Sequence, residues 1–112
     1  MKLRVKITKA LLEEAKDCKN NAEDCVVACA FKRIMKNPIC GFHTVRDQST
    51  TADHLVLPQE ATDLIIKFDG TPVNKRVNLP ETSFDVFLSE EDLKHLDLSL
   101  IEKAECLELI ND

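Results

Sequence analysis

The residues best suited to chemistry lie in one stretch, Asn20 to His43, which reads NNAEDCVVACAFKRIMKNPICGFH and holds three of the five cysteines and one of the three histidines. Cys25 and Cys29 stand four residues apart, on one face of a helix if this stretch is helical. Cys40-Gly-Phe-His43 has knuckle-like spacing with a glycine inside it. Four nitrogen and sulfur donors of this kind make a tetrahedral zinc set. Two features oppose that reading. A cysteine pair within a helix is a rigid start for a zinc site, and no Cys-x-x-Cys occurs in the chain. The competing reading makes Cys25 and Cys29 small apolar groups of the core, and on it the sequence assigns no metal, no cofactor and no catalytic residue.

A thiol nucleophile is the second chemistry on offer. Asp24-Cys25-Val26-Val27-Ala28-Cys29 resembles the nucleophile segment of the bacteriocin-processing group of papain-like cysteine peptidases, in which a cysteine opens a helix and its thiolate gains from the helix dipole. That resemblance implies His54 or His43 as base, oriented by Asp53 or Asp63. The sequence departs from the pattern at two places. Val26 replaces the small residue that follows the nucleophile, and Asn20 and Asn21 stand where an oxyanion-stabilising glutamine would precede it.

Charge supplies the remaining candidates. The net charge of −5 divides into +5 over residues 1–46, −2 over residues 47–80 and −8 over residues 81–112. Lys32, Arg33 and Lys36 gather at the expected C-terminal end of the central helix, with Arg46 further on, and clustered cations of this kind can bind phosphates. The acidic third carries Glu81, Asp85, Glu90, Glu91, Asp92, Asp97, Glu102, Glu105, Glu108 and Asp112. A surface this negative can imitate nucleic-acid phosphates in a basic channel. The plainer readings are a solvated helix face and a solubilising surface.

The elements that must position these residues are legible from periodicity. Lys2 to Ile7 alternates, with Leu3, Val5 and Ile7 on one face of a half-buried strand. Thr8 caps a short helix to about Asp17. The central helix starts at Asn21 or Asp24, buries Cys25, Val26, Cys29, Ala30 and Ile34, and stops at Asn37-Pro38. Ile39–Arg46 and Ala52–Leu57 read as a hairpin, and Pro58 opens a helix through Phe68. A long loop follows to Asn78. Ser83–Leu88 alternates as a strand, Ser89 with Asp92 makes a capping box, Ser99 caps a further turn, and Cys106–Ile110 returns as a strand. The pattern predicts a single α+β domain over residues 1–112, with helices on one side of a largely antiparallel sheet.

Composition narrows the class. At 112 residues with 44% apolar and 31% charged residues, the chain fits one folded domain. The lack of tryptophan and tyrosine argues against a base-stacking platform. No apolar run reaches the ~20 residues that span a bilayer, and the N-terminus lacks the apolar stretch of a signal peptide, so a cytoplasmic protein with reduced thiols and no membrane contact is expected.

Taken whole, VKITKALLEEAKDC, EDCVVACAF, LVLPQEATDLIIKFD, LPETSFDVFLSEEDL and CLELI resemble a group of small uncharacterised proteins of bacterial phages and mobile elements. The resemblance carries over no site residue. It implies a non-enzymatic inhibitor or modulator of a host protein such as an RNA-guided defence nuclease, acting through protein contact. The contact residues expected are Glu90, Glu91 and Asp92 or Lys32, Arg33, Lys36 and Arg46. The alternatives are an accessory protein that binds RNA or a ribonucleoprotein through the basic helix end, and a zinc-binding or cysteine-dependent hydrolase centred on Cys25.

Overall fold

The computed structural model describes residues 1–111, which leaves Asp112 of the acidic third outside the described part. The elements in chain order are β1 (Lys2–Ile7), α1 (Lys9–Ala15), α2 (Val26–Phe31), β2 (Pro38–Cys40), β3 (Thr44–Asp47), β4 (Leu55–Val56), α3 (Gln59–Asp69), a 3-10 helix (Val73–Asn78), β5 (Thr82–Phe87), α4 (Glu90–His95), α5 (Leu98–Lys103) and β6 (Leu107–Ile110). The fold is α+β with antiparallel strands. These form two three-stranded sheets, ordered β5-β1-β6 and β2-β3-β4, where the sequence pattern suggested one.

The first sheet follows directly from the alternation in β1. Leu3, Val5 and Ile7 are fully buried, and they sit opposite Val86, Phe84 and Thr82 of β5, with Leu3 and Val5 also opposite Leu109 and Leu107 of β6. On the other face Arg4 bonds Asp85 at 3.0 Å and Lys6 lies 3.8 Å from Glu108. β1 therefore has both edges paired and lies at the centre of its sheet.

All six side chains of α2 are buried. The helix is shorter than the apolar spacing predicts. Asn21 and Asp24 do not cap it, because they pair with each other across a tight turn, N–H to carbonyl oxygen at 3.2 and 3.1 Å. The Asp24 carboxylate accepts from the Lys19 N–H instead. Cys25 takes the N-cap position, its Sγ accepting from the Ala28 N–H at 3.3 Å. At the other end the Asp47 carboxylate accepts from the Lys36 and Asn37 N–H groups, which draws the chain off the helical path before Pro38.

The strand expected over Ile39–Arg46 is divided. Gly41, Phe42 and His43 form a turn closed by the Gly41 N–H on the Thr44 carbonyl oxygen at 2.8 Å, so β2 and β3 face each other across it. The expected loop after Gly70 contains the 3-10 helix, fixed by Arg76. That guanidinium is 3% exposed, donates to the carbonyl oxygens of Thr71 at 3.0 Å and Lys16 at 2.9 Å, and stacks 4.6 Å from the Phe68 ring centroid. The Ser89 and Asp92 capping box forms as the sequence predicts.

Arg76 is thus a tie between α1, α3 and the 3-10 helix. Its replacement by methionine keeps much of the packing volume but leaves buried carbonyl oxygens without donors, at a cost of about 2–3 kcal/mol. Urea unfolding of Arg76→Met is expected to show that loss with an unchanged m-value. A variant as stable as the parent would contradict this role.

Candidate functional site

Cys25 and Cys40 come together although 14 residues separate them in sequence. The Cys40 N–H donates to the Ala22 carbonyl oxygen at 2.7 Å, which holds the end of β2 against the loop that leads into α2. Thr62 on α3 donates through its hydroxyl to the Phe42 carbonyl oxygen, so the turn after β2 is anchored to a third element. Asn20 adopts the left-handed conformation with φ 58°, which asparagine tolerates. Between these walls lies a pocket of about 190 Å³ lined by Asn20, Asn21, Cys25, Cys40, Phe42 and Asp69 among others.

The two thiols behave as one titrating unit. The Cys40 S–H donates to the Gly41 carbonyl oxygen at 3.2 Å, and Cys40 interacts with the neighbouring Cys25. Cys25 is the better seat of negative charge, since its sulfur caps α2 and accepts from the Ala28 N–H at 3.3 Å. Interaction with Cys40 outweighs burial and lowers the Cys25 thiol to about 7. The same interaction, followed by burial, pushes Cys40 strongly upward. Burial also raises Asp69, opposed by the Arg76 charge, and the Asp69 Oδ1 is buried without a hydrogen-bond partner among the described residues.

The other cysteines differ. Burial, reinforced by the Glu14 charge, raises Cys29 to about 11. Burial likewise raises Cys18 and Cys106. The four residues considered as a zinc set are not gathered, and among the described residues no group of three or more His, Cys, Asp or Glu could hold a metal ion. Cys29 is beside Glu14 and Arg33, while His43 is exposed in the turn. Neither His43 nor His54 lines the Cys25 pocket, where the titratable neighbours are Cys40 and Asp69. Asp53 is exposed, and Asp63 is exposed and accepts from the Gln59 side chain.

The expected basic contact residues are dispersed in their bonding. Arg33 grips the Glu14 carboxylate at 2.7 and 2.8 Å and also donates to the Cys29 carbonyl oxygen. Lys32 and Lys36 are exposed, and Arg46 is half-buried opposite Ile39. In the acidic third, Asp92 accepts from the Ser89 N–H at 2.8 Å within the capping box. Glu91 lies 3.4 Å from Lys94 and 3.6 Å from His95. Glu90 and Glu102 are exposed and have no ion-pair partner among the described residues.

No protein-family model, no curated protein and no solved structure matches the chain. Among the described residues, no helix is long and apolar enough to cross a membrane.

The pocket chemistry gives a direct expectation. The thiolate is the reactive form, so alkylation of Cys25 by iodoacetamide should rise with pH through a midpoint near 7. Cys29, raised to about 11, stays protonated across that range and should label slowly. Peptide mapping by mass spectrometry across a pH series checks this. Cys25 labelling that climbs only in step with Cys18, in the alkaline range, would refute it.

Proposed function

We propose that the protein is a non-enzymatic binding module that docks through α4 and α5 onto a basic protein surface, of the kind that lines the channel of a nucleic-acid enzyme. The observation that carries this reading is what the two helices leave uncovered. Together they contribute one fully buried side chain, Ile101, yet they display Leu98 at 44% and Leu100 at 39% exposure, along with Glu90 and Glu102, which have no ion-pair partner among the described residues. A helix pair built for stability would turn those leucines inward. Exposed leucines among carboxylates suit a partner that offers apolar pockets between lysines and arginines.

Glu90 and Glu91 stand in the first turn of α4 and point their charge outward, while Asp92 holds the helix end and so sets the direction of the other two. The basic residues support this orientation of the reading. With Arg33 bonded to Glu14, a phosphate would have to displace a carboxylate to reach it. A host nuclease guided by RNA, the partner class implied by the resemblance to phage and mobile-element proteins, presents a basic channel of the required chemistry.

Purified RNA-guided nucleases, each with and without bound guide, are the probes. Inhibition of target cleavage that weakens as salt rises is expected for one of them, and Glu90→Lys with Glu102→Lys should weaken the inhibition by about tenfold or more. Circular dichroism keeps loss of fold distinct from loss of contact. Full inhibition by the charge-reversed protein, or inhibition of none, would overturn the reading.

A further inference from the structure

We propose that the pocket formed by the loop before α2, the end of β2 and the end of α3 is a dithiol site for thiol–disulfide exchange with small peptide disulfides, with Cys25 as attacking sulfur and Cys40 as resolving sulfur. Four features converge there. Two thiols from separate elements are brought to one place by the Cys40 N–H bond to the Ala22 carbonyl oxygen, three residues before Cys25. Both line a pocket of about 190 Å³, which gives a small ligand access to sulfurs that are otherwise covered. Asp69 lines the same pocket, and its Oδ1 is buried without a hydrogen-bond partner among the described residues. Phe42 lines the pocket and is exposed, and Ile66, one turn beyond the Thr62 that anchors the Phe42 carbonyl, is exposed as well.

The ligand class follows from that lining. A disulfide supplies the electrophilic sulfur, and peptide groups beside it suit the polar residues Asn20, Asn21 and Asp69 that line the pocket. Oxidised glutathione has both. In the first step the Cys25 thiolate attacks one sulfur of the ligand, the ligand S–S bond breaks, and one glutathione leaves as thiolate and takes up a proton. In the second step Cys40 gives its proton to the departing sulfur and attacks Cys25 Sγ, which expels the second glutathione and forms the Cys25–Cys40 disulfide. The two protein thiols lose two electrons and the small disulfide gains them. The sulfurs must close to a bond of about 2 Å, a movement of side chains that line one pocket, while the Cys40 N–H to Ala22 bond holds the backbones together.

The test uses the full chain and oxidised glutathione at neutral pH, followed by peptide mapping. The wild type is expected to lose two thiols as a Cys25–Cys40 disulfide, and Cys40→Ser is expected to retain one glutathione on Cys25. Modification of Cys25 should outpace that of the more exposed Cys18 by about tenfold or more. Glutathione found on Cys18 alone, no modification of Cys25, or a Cys40→Ser protein that folds but holds no adduct would overturn the proposal. If Cys40→Ser does not fold, the wild-type map decides by the presence or absence of the cross-linked peptide.

Discussion

The constraint on which the rest of the structure depends is that α2 has no wet face. A surface helix lets its polar side face water, but Val26–Phe31 is buried all round. Every direction around it must then be filled, and α1, β2 and α3 pack on it. Phe31 and Phe68 are fully buried, each adding on the order of 3 kcal/mol of burial. A short helix in that position also has little freedom to shift, since any translation would bring side chains of different volume against three neighbours at once.

Total burial creates a second demand, at the helix ends. The first N–H groups of a helix lack internal partners, and at a buried end water cannot supply them freely. Serine, threonine, asparagine or aspartate is the usual answer. Here the position belongs to Cys25, whose neutral sulfur is a weak acceptor. A thiolate is a much better one, so interaction with the neighbouring Cys40 and the cap position both favour charge on Cys25. The chemistry of the pocket thus grows out of capping a buried helix with sulfur.

Much of the architecture was legible because it rests on local pattern. The alternation of Leu3, Val5 and Ile7, the Ser89 and Asp92 box, and the apolar face of α3 each state a structure within a few residues. The central stretch misled for an identifiable reason. Reading Cys25, Val26, Cys29, Ala30 and Ile34 as one face passes over Val27, Ala28 and Phe31, which complete an apolar surface on every side. Arg76 could not be read as a buried tie, since a lone arginine in a polar stretch looks like solvent-facing charge. Its partners are carbonyl oxygens, which leave no trace in residue type. The zinc candidate brought Cys25 and Cys40 to one place for the wrong chemistry: their proximity depends on a backbone bond from Cys40 to Ala22, and Cys29 and His43 lie outside the pocket.

Five cysteines of identical composition therefore resolve into different chemical kinds by environment alone. Cys29 and Cys106 lie near Arg33 and Glu14, but burial is the largest influence on both sulfurs and raises them, reinforced by Glu14 at Cys29 and opposed by Arg33 at Cys106. Cys18 donates to the Asn20 side chain and fixes the turn that forms one wall of the pocket. Cys25 and Cys40 interact, and the interaction splits their affinities apart, as it does for paired carboxylates in which one ionised group suppresses the other. The same low-dielectric surroundings that keep three thiols inert thereby make one of the remaining two acidic, since the Cys25 sulfur both interacts with Cys40 and accepts from the Ala28 N–H at the helix cap.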